Sequence, residues 1–283
     1  MSIVDAHHHL WDPARRDYPW MAGDALAPLR RPFTLDDLRR EAARPPGVRA
    51  TVLVQTVSSA EETEEFLAVA DASGGLVAGV VGWAALTDPA LGERLARLRT
   101  LPGGDRLVGL RHQAEDEPDP GWLVRSDVRR GLATVAEAGL VYDLLVRPPQ
   151  WAAAVEVTGS LPEVPFVLDH AGKPPVASGE FGPWAAMISR LAERPNVSCK
   201  LSGLVTEADW TSWRVAEVRP YAEHVLSCFG PERVMFGSDW PVCELAASYG
   251  QVTATAADLT DALTPTEREA VFATTATTVY GLR

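Results

Sequence analysis

The chain has 283 residues, 46% of them hydrophobic and 23% charged, a composition ordinary for a globular protein with a sizeable core. Its net charge is -12 and its basic residues come at most in isolated pairs such as Arg30-Arg31 and Arg39-Arg40. Nucleic acid and anionic membrane are therefore excluded as expected partners, although a local cation could still hold an anionic substrate. Cys199, Cys228 and Cys243 are odd in number and form no C-x-x-C pair, so neither a disulfide framework nor a cysteine zinc site is expected, and Cys199 and Cys228 read as small core residues. The opening Met-Ser-Ile-Val-Asp lacks a basic segment leading into an apolar stretch, and no apolar run reaches membrane-spanning length; the expectation is a cytoplasmic protein, with a homo-oligomer left open.

In chain order, short runs rich in Val, Leu and Ile predict strands near 2–6, 50–55, 76–83, 107–111, 140–146, 164–169, 197–201 and 233–238. Most are continuously apolar, as parallel strands buried on both faces are. Helix-like segments lie between and after them, at roughly 34–43, 60–73, 89–99, 124–138, 148–159, 182–194, 213–228, 246–262 and 265–279. Several open on a cap: Thr34, Ser59, Asp88 before Pro89, and Thr264-Pro265-Thr266-Glu267. Strand–helix alternation repeated eight times predicts one α/β domain over 1–283, a (β/α)8 barrel, a fold of about 250 residues. An open doubly wound sheet is the alternative, but it would favour a glycine-rich phosphate loop after the first strand, where His7-His8-His9 stands. The loop near 11–33 is expected to cover the barrel mouth.

Barrel enzymes carry their sites at the C-terminal ends of the strands, and there this sequence turns polar. His7, His8 and His9 follow strand one, Arg111 and His112 end strand four, Asp169-His170 end strand six, Lys200 lies in strand seven, and Ser238-Asp239-Trp240 end strand eight; only His224 among the histidines lies elsewhere. Side chains alternate along a strand, so His7 and His9 share a face and His8 opposes them. His7 and His9 are assigned to the site and His8 to structure. Arg111 and His112 also oppose each other, and sequence does not decide which faces the axis. A buried lysine needs a partner, so Lys200 reads either as a site residue or as a side chain snorkelling at a strand end.

The stretch Val4-Asp5-Ala6-His7-His8-His9-Leu10-Trp11-Asp12 resembles the first-strand His-x-His signature of the amidohydrolase superfamily. Together with Gly109-Leu110-Arg111-His112, Leu168-Asp169-His170-Ala171-Gly172-Lys173-Pro174, Cys199-Lys200-Leu201-Ser202-Gly203-Leu204 and Phe236-Gly237-Ser238-Asp239-Trp240-Pro241, it resembles the branch of L-fuconolactone and L-rhamnonolactone hydrolases and 2-pyrone-4,6-dicarboxylate lactonase, nearer to the sugar lactonases. The resemblance implies hydrolysis of a small lactone. Asp239 would act as general base, His7, His9 and His170 would polarise the carbonyl, and Lys200, Trp240 and one of Arg111 and His112 would line the substrate pocket, with Trp11, Trp20 and Trp83 adding aromatic surface at the mouth. Binuclear members bridge their metals at strand four and add a histidine at strand five, whereas this chain has Arg111-His112 and Tyr142-Asp143-Leu144. No binuclear centre is expected. No cofactor is expected to be required, and if one divalent ion binds, zinc or manganese, its ligands would be His7, His9, His170 and Asp239. Two rivals are a metal-dependent decarboxylase of a small aromatic acid, which needs the missing strand-five histidine, and a non-catalytic binding barrel, against which the retained His and Asp set argues. A serine hydrolase lacks its G-x-S-x-G elbow.

Overall fold

The computed structural model of the chain describes residues 2–283. Eight parallel strands run in sequence order: β1 (Val4–His8), β2 (Ala50–Val54), β3 (Val77–Gly82), β4 (Leu107–His112), β5 (Val141–Leu144), β6 (Phe166–Leu168), β7 (Val197–Leu201) and β8 (Val234–Phe236). The ring closes where His8 and Trp240 bridge in parallel, with the His9 amide donating to the Trp240 carbonyl at 2.7 Å and the Asp239 amide to that of His7 at 2.8 Å. This is the (β/α)8 barrel that the alternation predicts.

Helices α1 (Leu35–Ala42), α2 (Ala60–Ala72), α3 (Leu91–Leu98), α4 (Ser126–Glu137), α5 (Trp151–Ser160), α6 (Gly182–Ala192), α7 (Val215–Phe229) and α8 (Tyr249–Leu259) form the outer layer. The hydroxyls of Thr34 and Ser59 cap α1 and α2 by accepting from the Asp37 and Glu62 amides. The expected final helix at 265–279 is interrupted: a π-turn at Ala270–Thr274 separates α9 (Pro265–Glu269) from α10 (Thr275–Tyr280) and buries Val271, Phe272 and Ala273. The 11–33 segment forms two short helical turns, Pro19–Met21 and Asp24–Leu29, pinned by paired hydrogen bonds between Trp11 and Phe33. Among the described residues no helix is long and apolar enough to cross a membrane.

Strands β6 and β8 are shorter than the apolar runs that predict them, because the chain leaves the sheet to aim polar residues inward. Asp239 adopts φ +56°, and His170, Ala171, Gly172 and Lys173 are all left-handed, with φ between +50° and +70°. Such backbone costs on the order of 1–3 kcal/mol per non-glycine residue and persists only when the surroundings enforce it. After β6 the indoles of Trp184 and Trp151 donate to the Ala171 and Gly172 carbonyls at 2.7 and 3.1 Å. After β8 the brace is Asp5, at the bulge where β1 shifts register. Its buried carboxylate accepts from the amides of His7 (3.1 Å) and Ser238 (2.8 Å), the Ser238 hydroxyl (2.6 Å) and the Tyr249 phenol (2.9 Å).

Asp5→Ala leaves these donors buried without an acceptor. It should lower unfolding free energy by at least about 2–3 kcal/mol. Urea denaturation measures it; a loss under about 0.5 kcal/mol, typical of a neutral surface change, would contradict the bracing role.

Candidate active site

At the C-terminal mouth three imidazoles surround one carboxylate oxygen. The Nε2 atoms of His9, His7 and His170 lie 3.5, 3.8 and 3.9 Å from Asp239 Oδ1. These separations are too long for direct hydrogen bonds and suit bridging by a single water or ion. All four residues are buried, and His7 is fully enclosed.

Each side chain is held by a specific partner. His9 donates from Nδ1 to the Val54 carbonyl at 2.7 Å, which leaves a lone pair on Nε2. Burial lowers the pKa of His9 to about 3, with the nearby Arg111 adding to the effect, so its single proton is committed to that carbonyl. His9 therefore accepts at the site, where the sequence reading has it donating. His170 pairs its Nδ1 with the Ser202 hydroxyl at 2.9 Å, and burial lowers it to about 4 despite the attraction of Asp239. A Cβ on Gly203, at φ +66°, would stand 2.7 Å from His170 Nδ1. Burial raises Asp239 above the ordinary aspartate range.

Beneath this group lies a network of buried charge. Lys200 Nζ donates to Asp143 Oδ2 at 2.5 Å and lies 3.0 Å from Asp169 Oδ1 and 3.1 Å from His7 Nδ1. Arg111 donates from Nη1 to Asp169 Oδ2 at 3.0 Å and from Nε to Gln55 Oε1 at 2.9 Å, and its Nη1 is 3.3 Å from His7 Nε2. Tyr280 donates its hydroxyl to Asp143. Burial alone would raise Asp169, but Lys200, His7 and Arg111 hold it well below its ordinary range. His7 is driven the other way by burial, well below the usual imidazole value, so it is neutral and carries one proton.

That proton has two places. On Nε2 it is donated to His9 Nε2, 3.2 Å away, while Nδ1 accepts from Lys200. On Nδ1 it faces Asp169 Oδ1, 3.2 Å away, and the two Nε2 lone pairs then face a common point beside Asp239. In that second tautomer His7, His9 and Asp239, whose donor atoms lie within 4.8 Å of one another, fit one divalent ion. A second group, His7, Asp169 and His170, is equally close, but its carboxylate is already engaged by Lys200 and Arg111.

Above the site opens a cavity of about 340 Å3 lined by His9, His170, Asp239 and Arg111 at its floor. Trp20 and Leu26 of the covering segment form one wall, so that segment does cover the mouth. Arg111 thus faces the interior. His112 faces away, stacked on Trp122 with centroids 4.3 Å apart, accepting from the Trp83 indole and paired with Glu117 at 2.7 Å. Of the two, Arg111 is therefore the one that lines the pocket, while two residues expected in the pocket wall are displaced from it: Lys200 by its capture under the floor, and Trp240 by edge-on packing against Phe33 and an indole bond to Glu244. Trp11 and Trp83 are likewise outside the lining, and His8 turns away to bond Thr51 at 2.9 Å. Sequence reasoning missed the lining residues Glu115, Arg147, Lys173 and Glu207, and also Asp143. A signal for Asp143 existed: an acid inside an apolar strand is the partner that a lysine in another one requires.

A single barrel with His-x-His after β1, histidine after β6 and aspartate after β8 is the arrangement of an amidohydrolase. The model of the amidohydrolase family matches residues 4–282, and the chain belongs to that family. An L-fucono-1,5-lactonase of Burkholderia multivorans is 38% identical over 290 residues, covering 99% of this chain and 96% of that protein. A second L-fucono-1,5-lactonase, from Burkholderia ambifaria, is 36% identical and covers 87% of this chain and 83% of that protein. The crystal structure of a Burkholderia multivorans amidohydrolase with bound zinc superposes over the whole of both chains with a TM-score of 0.92 and 37% identity.

With the second donor group occupied by protein cations, elemental analysis of protein purified without chelator should find at most about one equivalent of divalent metal, the capacity of one such donor set. Two equivalents would contradict the assignment of Lys200 and Arg111 to that place.

Proposed function

We propose that the protein hydrolyses the ring ester of a small, neutral sugar lactone, an L-fucono-1,5-lactone or a close analogue. The observation that carries this reading is the group of three imidazoles around Asp239 at the base of the cavity, His9 and His170 lining it and His7 directly beneath. The names of the two Burkholderia relatives support it. Cavity charge supports neutrality of the substrate: Arg111 is paired with Asp169, and Arg147 and Lys173 both with Glu115, at 3.0 and 2.5 Å, so no cation is left to bind a substrate carboxylate.

In this mechanism a water bridges Asp239 and His9. Asp239 takes a proton as the water oxygen attacks the lactone carbonyl carbon, and His9, an acceptor, orients the second hydrogen. Ser202 donates to His170 Nδ1, so that Nε2–H of His170 points at the carbonyl oxygen, and the fixed guanidinium of Arg111 adds positive potential there. The tetrahedral intermediate collapses by breaking the bond to the ring oxygen, which receives the proton from Asp239. The product is the open hydroxy acid, which releases one proton at neutral pH. Trp20 supplies apolar surface to the sugar ring. A divalent ion held by His7, His9 and Asp239 would supply further polarisation of the water or the carbonyl. We infer that the reaction does not require it, because a lactone is an activated ester and Arg111 and His170 already furnish an electrophilic site.

Asp239→Asn keeps the shape but cannot take the proton. Its kcat on a sugar lactone should fall by roughly two to four orders of magnitude, with KM nearly unchanged. His8→Asn, on β1 beside His7 and His9 but bonded to Thr51 outside the site, should cost stability and keep kcat. Folded Asp239→Asn with near-parental kcat would remove Asp239 from the mechanism.

A further inference from the structure

The segment following β7 enters the cavity with three residues that the mechanism leaves unused, Thr206, Glu207 and Trp210. Its backbone is tightly fixed. The Glu207 carbonyl accepts from the Ala177 amide at 2.9 Å, the Thr206 amide and hydroxyl both bond the Gly203 carbonyl, and the Trp210 indole donates to the Thr206 carbonyl at 2.8 Å. Glu207 is thus presented on a rigid support. Yet among the described residues no side chain or amide donates to its carboxylate, in contrast to Glu115, which holds both Lys173 and Arg147. The residue is partly exposed and its carboxylate faces the cavity, and its partial burial raises it above the ordinary glutamate range. Across the covering segment stands a second incomplete group: the indole N–H of Trp20, a cavity-wall residue, is buried with no acceptor. Glu207 thus offers an unused acceptor to the cavity and Trp20 an unused donor beside it, the two functions that a hydroxylated ligand can complement.

We propose that Glu207 is a specificity-determining residue that reads a hydroxyl of the substrate, so that the cavity selects a hydroxylated lactone over a plain one. This rests on the lactonase reading above. The substrate hydroxyl donates to the Glu207 carboxylate, and an oxygen of the substrate gives the Trp20 indole its acceptor as the covering segment settles on the ring. A site built to hydrogen-bond a hydroxyl discriminates against the analogue lacking it, because its buried polar group is then left unpaired.

The test compares L-fucono-1,5-lactone with δ-valerolactone, the same ring without hydroxyls, and reads the ratio of their kcat/KM values in the parent protein, Glu207→Ala and Glu207→Gln. The ratio should fall roughly ten- to a hundredfold in Glu207→Ala, the range for a hydrogen bond to a charged group, and by less in Glu207→Gln, whose amide oxygen still accepts. Glu207→Gln should melt close to the parent at pH 7, since no hydrogen-bond donor loses its acceptor. If Glu207 only supports the loop, both substrates lose alike, the ratio stays at its parental value, and the proposal is overturned. A parent protein that opens neither lactone overturns the lactonase reading itself, a failure distinct from a parent that opens both with a ratio indifferent to residue 207.

Discussion

Four charges buried in the barrel set the terms for everything above them. Lys200 and Arg111 face Asp143 and Asp169 with no access to solvent at three of the four and almost none at Arg111. Isolated, any one of them would be prohibitive in that setting; together they are neutral, and each is also hydrogen-bonded. Gln55 and Tyr280 complete the arrangement from the sides. Removing one member would strand its partners, so the network constrains the inner faces of β4, β5, β7 and the turn after β6 at once. It also encloses His7, which touches both cations and Asp169. Burial keeps this imidazole neutral against the pull of Asp169, and a neutral His7 is what leaves the choice between sharing a proton with His9 and binding an ion.

The reactive groups rest on this foundation through strained backbone. Asp239 and His170 both occupy left-handed conformations, one after β8 and one after β6, and each is braced from behind by groups that have no contact with the cavity. Asp5 with Tyr249 holds the first, and Trp184 with Trp151 holds the second. The strain is useful because it ends the strand early and turns a side chain across the mouth, where an extended residue would continue along the barrel wall. Rigidity of this kind is what keeps three imidazole nitrogens at nearly equal distances from one carboxylate oxygen.

The fold was legible from periodicity, since buried parallel strands alternate with helices plainly enough to count. His7 and His9 meeting while His8 turns away also follows from the strand period alone. What was not legible lies where the period fails. The π-turn in the last helix, the early ends of β6 and β8, and the bulge in β1 all depart from a regular repeat. The substrate wall was the least legible part. Glu115, Arg147, Lys173 and Glu207 lie on loops, and nothing in a loop's local sequence tells which side chain enters a cavity and which faces solvent. Lys200 shows the opposite difficulty. Its chemistry was noticed, but whether a polar residue in a strand lines the pocket or lies below its floor depends on depth along the barrel, and depth follows from the stagger between strands.

The central claim is that this cavity presents an Asp239-centred water to a lactone carbonyl. It is tested most directly by following proton release and carbon dioxide from the purified protein on a panel of neutral sugar lactones, 2-pyrone-4,6-dicarboxylate and small aromatic carboxylic acids. The account predicts one proton per turnover from at least one neutral sugar lactone, with little turnover of the dicarboxylate and no carbon dioxide from any acid. Carbon dioxide release from an aromatic acid, with every sugar lactone left closed, would contradict it.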